Sequence, residues 1–148
     1  MSPAKRAVLR TARHPTAQPL PPNPVVMSFQ GQNLGKCGED RAVRELTRRG
    51  YAILERRYRT RYGEIDIVAD DGGTIVFVEV KARMTREFGT AAEAVTPAKQ
   101  RKIAAMAVDY LARKRLTCCP CRFDVVAIDD LATDHPQIEV YANAFDVP

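Results

Sequence analysis

The strongest periodic signal in the chain runs from Gly63 to Arg83, GEIDIVADDGGTIVFVEVKAR. Two runs of strand-forming residues flank a Gly-Gly pair, which predicts two antiparallel strands joined by a tight turn. Residues two apart on a strand share a face. Glu64, Asp66 and Val68 therefore lie together on the first strand, and Ile75, Phe77, Glu79 and Lys81 on the second. Whether these faces coincide depends on the parity of the loop. A loop of Gly72-Gly73, or the longer Asp71 to Thr74, sets Asp66 opposite Glu79, whereas a three-residue loop sends the acids to opposite sides unless a bulge corrects the register. The segment TIVFVEVKA is apolar on both faces, so Glu79 and Lys81 interrupt a strand that otherwise reads as buried. Buried charges need partners.

Around this hairpin the pattern predicts five further helices and strands. Leu34, Gly38, Ala42, Val43 and Leu46 recur at helical spacing, giving a helix from Gln32 to Arg49 that Gly50 ends. Tyr51 to Tyr58 reads as a strand. Met84 to Val95 reads as a connecting loop with one short helical turn. Thr96-Pro97 then opens a second helix, threonine as cap and proline in the first turn, with Ile103, Met106, Ala107, Tyr110 and Leu111 as its core-facing stripe. Arg122 to Ile128 and Gln137 to Ala142 complete the strands, with Asp124 expected at an edge or in a hydrogen-bonded position. Helix, three strands, helix and one or two strands is an α/β order.

Two neighbouring carboxylates repel and resist losing water, an arrangement that a hard divalent cation compensates. Mg²⁺ commonly takes one or two carboxylates with phosphate oxygens and waters. A lysine beside such an ion can hold or deprotonate an attacking water and face the phosphate. The plainer account is a half-exposed hairpin whose acids face solvent. Just upstream, Arg57, Arg59 and Arg61 interleave with Tyr58 and Tyr62. Arginines bind phosphates bidentately and tyrosines stack on unpaired bases, although a charged edge strand gives the same pattern. Arg83 and Arg86 are within sequence reach of the same substrate, or serve solubility.

Ile65-Asp66 followed by Glu79-Val80-Lys81 resembles the D…ExK signature of the PD-(D/E)XK nuclease superfamily, which includes restriction endonucleases and Holliday-junction resolvases. GEIDIVA with FVEVKAR is similar to the YraN-like family of bacterial proteins, over about Gly31 to Ile128. Ile65 stands where the superfamily often has proline. The resemblance implies a restriction-endonuclease-like mixed sheet flanked by helices, with the site where the central strands diverge. It implies a Mg²⁺- or Mn²⁺-dependent endonuclease hydrolysing phosphodiester bonds, branched DNA among its substrates, with a homodimer as the assembly. Asp66 and Glu79 would hold the metal, Glu39 from the first helix would complete its ligands, Lys81 would act on the water, and Gln100 would align water or phosphate. Lys99 is a neighbouring candidate for the nucleic acid, as are Arg57, Arg59, Arg61 and Arg83. The residues leave open plainer roles: Glu39 as an acid near a helix start, Gln100 as an amide bonded to a loop carbonyl. Also open are a module of the same fold that holds nucleic acid without cutting it, and an interaction domain with structural ion pairs. DNA stands ahead of RNA as the partner, though nothing in the residues separates them.

Charge and composition refine this picture. The 148 residues carry a formal net charge of +5 and suit one domain with its own core. Residues 1–30 hold Lys5, Arg6, Arg10 and Arg13 with no acid, and six of the ten prolines, which predicts a disordered tail before a single domain from 31 to 148. That tail reads either as a basic arm for nucleic acid or as sequence preceding a true start at Met27. After Arg122 every charged side chain is acidic apart from histidine, so a polyanion meets the central segments or the tail. No apolar run approaches the ~20 residues of a membrane helix, and a cytoplasmic protein with no membrane partner is expected. Cys118, Cys119 and Cys121 lack the second, spaced pair that structural zinc requires and read with Cys37 as thiols.

Overall fold

The computed structural model describes residues 30–84 and 95–146. The basic tail, the loop expected after Met84 and Arg86 lie outside the described residues. The elements run α1 (Gln30–Arg48), β1 (Ala52–Thr60), β2 (Gly63–Asp71), β3 (Thr74–Ala82), α2 (Pro97–Arg113), β4 (Cys121–Asp129) and β5 (Gln137–Tyr141). They form a mixed five-stranded sheet in the order β1-β2-β3-β4-β5. All neighbouring pairs are antiparallel except β3 and β4, which run parallel. Parallel strands cannot be joined by a hairpin, and α2 occupies the crossover between them.

Each helix covers one face. The apolar residues of α2, namely Ile103, Met106, Ala107 and Tyr110, pack on Val68, Ile75, Phe77 and Val125. Ala42 and Leu46 of α1 pack on Ile67, Ala69, Val76, Val78, Val126 and Ile128. β3 is thus buried from both sides, which explains its continuous apolar run. Gly38 lets α1 approach closely: a Cβ there would stand 2.7 Å from Cβ of Ala82.

The hairpin turn is the two-residue loop Gly72-Gly73. Asp71 pairs with Thr74, and both glycines take positive φ, 61° and 99°, a conformation that costs glycine little. The pairs continue through Ile67–Val78, a register that sets Asp66 opposite Glu79. At Asp66 the ladder opens, and the Val80 N–H donates to Asp66 Oδ2 at 2.8 Å.

This opening coincides with a change of phase in β1 and β2. Arg56 reaches Glu39 and Asp40 on α1, yet Tyr58, two residues on, meets Asp109 and Tyr110 of α2. Likewise Ile67 belongs to the α1-side core and Ile65 to the α2-side core. Strict alternation would put each such pair on one face. The alternation breaks at Arg57, whose φ is 53°, and at Asp66 opposite it, between the pairs Arg56–Ile67 and Tyr58–Ile65. Asp66 is therefore released from the regular strand at the point where β2 and β3 part.

Candidate metal and nucleic-acid site

The centre of the site is a pair of carboxylates in a largely apolar setting. Glu79 is 5% exposed, and its charge acts on the neighbouring Asp66 carboxyl. Burial, and then the Glu79 charge, push the Asp66 carboxyl up to about 7, against the opposing pull of the Val80 N–H and Lys99. Both effects follow from taking like charges out of water. The Lys99 ammonium sits directly on Glu79 Oε1. Burial works against that ammonium's charge, but Glu79 and Asp66 outweigh it and raise its pKa. Lys81, two residues on from Glu79, shares its face of β3. Two acids and the Lys99 ammonium thus meet where the sheet opens, with Lys81 next along the same face.

α2 delivers Lys99 through its N-terminal geometry. Thr96 caps the helix, its Oγ1 accepting from Lys99 N at 3.2 Å, and Pro97 occupies the first position. Neighbouring Gln100 turns elsewhere: its Nε2 donates to the Val95 carbonyl at 3.1 Å. That is the loop-carbonyl role left open above.

Glu39 is buried at 6% exposure but belongs to a different set of partners. Arg56 Nε donates to its Oε1 and Arg57 Nε to its Oε2, each at 2.9 Å. Among the described residues no three His, Cys, Asp or Glu side chains are grouped to hold a metal ion. The expected trio of Asp66, Glu79 and Glu39 is thus two acids together and a third held on arginines. Asp66 and Glu79 still fit a hard cation, which needs only one or two carboxylates when water and phosphate complete its shell. Such a cation would compete with the Lys99 ammonium for Glu79.

The arginine-rich strand is similarly divided. Arg57 secures Glu39, opposite Asp66. Arg59 pairs with Glu64 at 3.0 Å while remaining 79% exposed. Arg61 donates to Tyr62 Oη at 2.7 Å and lies 4.9 Å from that ring's centroid. Arg83 is bound to Asp129 at 2.6 Å, tying the end of β3 to the end of β4. Tyr58 donates to Asp109 Oδ2 at 2.6 Å, and burial with that carboxylate pushes its hydroxyl up to about 12.

A second buried charge lies on the opposite, α1 side of the sheet, where Asp124 pairs with Val78, one register position from Glu79. Asp124, with no exposed surface, accepts from Arg122 Nε at 3.0 Å, the Asn143 backbone N–H at 2.9 Å and Tyr51 Oη at 3.2 Å. It is the hydrogen-bonded position expected of it, and its full complement of partners marks a structural centre. The four cysteines are free thiols; Cys37, Cys118 and Cys121 are exposed and Cys119 half-buried. No helix among the described residues is long and apolar enough to cross a membrane.

Residues 38–128 match the profile of the Uncharacterised protein family UPF0102. The matched segment contains Glu39, Asp66, Glu79, Lys81, Lys99 and Gln100. A UPF0102 protein of Geobacter sulfurreducens is 48% identical over 120 residues, covering 81% of this chain and 94% of the relative. One from Symbiobacterium thermophilum is 47% identical over 114 residues, 77% of this chain and 97% of the relative. One from Rhodococcus opacus is 48% identical over 112 residues, 76% and 95% respectively. With a profile match across most of the folded segment and relatives aligned along nearly their whole length, the chain belongs to UPF0102, the YraN-like family to which its GEID and VEVK segments pointed.

Proposed function

We propose that this protein is a metal-dependent nuclease of the PD-(D/E)XK superfamily, hydrolysing phosphodiester bonds in nucleic acid, with DNA ahead of RNA. The observation that carries the reading is the buried meeting of Asp66 and Glu79 with Lys81 on the same face. Like charges placed together at a strand opening destabilise the fold, and a divalent ion removes that cost. Mg²⁺ or Mn²⁺ held by the two carboxylates would polarise the phosphate and lower the pKa of a bound water.

The chain's own groups take the remaining tasks. Lys81 orients the attacking water against the phosphate. Lys99, displaced from Glu79, turns its charge to the phosphate. Gln100 fixes the residue that leads into α2, and so the position of Lys99. Glu39 acts in support by holding Arg57 opposite Asp66. The exposed guanidinium of Arg59 supplies attraction for the backbone, salt-sensitive as such contacts are.

A second reading has a specific observation behind it. The Lys99–Glu79 ion pair neutralises one acid without a metal, as a binding module that does not cut would need. One experiment separates the two. The protein and its Asp66→Asn and Lys81→Ala variants are incubated with Mg²⁺ or Mn²⁺ and linear, flapped and four-way-junction DNA and RNA. Metal-dependent cleavage by the parent alone supports the nuclease. Salt-sensitive binding without cleavage, equal in all three proteins, supports the module and overturns the nuclease.

A further inference from the structure

The tip of the β1–β2 hairpin forms a groove with α2 that the site itself does not use. Tyr62 is 45% exposed there and lines two cavities, each of about 410 Å³. That is a size in the range of small-ligand pockets. One cavity, between Tyr62 and the start of α2, includes Lys99, Lys102 and Met106 in its wall. Lys99 is the residue whose ammonium rests on Glu79, so this cavity shares one wall residue with the acid pair. Lys102 stands one helical turn further on, with its Cβ ~5–6 Å from that of Lys99, a separation comparable with that of successive phosphates along a single strand. Lys102 has no acid partner among the described residues.

The two tyrosines of the arginine-rich strand have different fates. Tyr58 is half-buried against Tyr110 and bonded to Asp109, which commits its ring edge and hydroxyl to the fold. Tyr62 has the Arg61 guanidinium over its ring, 4.9 Å from the centroid, and its half-exposed side chain lines the groove. A half-exposed aromatic ring held by a guanidinium forms a platform for a flat partner. Stacking of this kind accepts any base but requires the base to be unpaired. Glu64 and Asp109, the acids lining the two cavities, are compensated by Arg59 and by Tyr58 with Arg113.

We propose that this groove carries a single-stranded stretch of the substrate away from the acid pair, with Tyr62 stacking on an unpaired base and Lys99 and Lys102 following the phosphates. The substrate class is then nucleic acid with unpaired nucleotides beside the cut, such as a flap, a gap or a single-stranded end, in preference to continuous duplex. The proposal rests on the nuclease reading for the word "cut" and on the groove alone for the binding.

The test is binding of the full chain in chelator, where no cleavage occurs. The probes are a fluorescein-labelled single-stranded oligonucleotide, its duplex, and a single strand carrying 2-aminopurine. The parent should prefer the single strand and quench 2-aminopurine. Tyr62→Ala should weaken single-strand binding ~10-fold or more and abolish quenching, while Tyr62→Phe retains both. Lys102→Ala should reduce the dependence of log affinity on log salt by ~0.7. An unchanged melting temperature for these exposed substitutions rules out unfolding as the cause. Equal single-strand binding by parent and Tyr62→Ala, a preference for duplex, or no binding to either overturns the groove. The outcomes separate the two proposals. Cleavage without Tyr62 dependence would sink the groove and leave the nuclease, and Tyr62-dependent binding without any cleavage would do the reverse.

Discussion

Replacing Asp66 by asparagine should stabilise the metal-free protein, and increasingly so as pH rises. The carboxyl is raised from 3.8 to about 7 by burial and by Glu79. In the unfolded chain it ionises near its ordinary value, so between about pH 4 and pH 7 the folded state binds more protons than the unfolded state, and stability falls as pH rises. The full cost is present above about pH 7 and absent below about pH 4. A shift of roughly three units corresponds to ~4 kcal/mol at 1.36 kcal/mol per unit. Asparagine recovers only part of this. Its carbonyl can accept the Val80 N–H and its amide can donate to Glu79, but a buried amide carries its own desolvation cost. A net gain of ~2 kcal/mol at about pH 8 is expected, or roughly 6–10 °C in melting temperature for a domain of this size. The assay is thermal or urea unfolding of parent and variant, in chelator, from about pH 4 to pH 8. A variant no more stable than the parent at the upper end, with a difference flat in pH, would refute the burial of Asp66 against Glu79.

Other consequences follow from the same packing. Saturating Mg²⁺ should raise the parent's melting temperature more at about pH 8 than at about pH 6, because a carboxylate ligand must lose its proton before it binds metal; scanning calorimetry reads this, and the Asp66→Asn variant should show no such pH-dependent gain. Gly38→Ala drives a Cβ to 2.7 Å from Ala82 Cβ, and chemical denaturation should register a loss of ~1–3 kcal/mol despite alanine's higher helix propensity. Arg122→Ala strips Asp124 of its cation in a fully buried position; a loss of ~3–5 kcal/mol is expected, and a fall of less than 1 kcal/mol in urea unfolding would deny Asp124 its structural role.

Much of the framework could be read from residue spacing because it rests on short-range rules. The even loop follows from side-chain alternation together with Gly72-Gly73, which alone can take the two positive φ values cheaply. The stripe from Ile103 to Tyr110 gave α2 its buried face, and Thr96-Pro97 its start. The strand bounds differ from expectation by one or two residues, since ends are set by hydrogen bonds that composition does not encode.

The site was less legible where it depends on how elements meet. A positive φ at Arg57 is imposed by tertiary contacts, and nothing in YAILERRYRT announces the phase change that releases Asp66. Lys99 and Gln100 are adjacent in sequence but ~100° apart around the helix. Which of them faces Glu79 depends on the rotation of α2 against the sheet, and that places the lysine on the acid and turns the glutamine to Val95. Glu39 sits on the expected helix, yet the two arginines that engage its oxygens come from β1. Arg83 looked like a substrate contact from its position after VEVK, but the partner that holds it, Asp129, lies 46 residues away.

The claim on which the account turns is that Asp66 and Glu79 together bind one hard cation. Calorimetric titration of Mn²⁺ into the parent, Asp66→Asn and Glu79→Gln at about pH 8 tests it most directly. The account predicts saturable binding of one or two ions by the parent, with at least one site lost in each variant while the melting temperature stays as high or higher. Identical isotherms for all three proteins, or no binding by a folded parent, would contradict it.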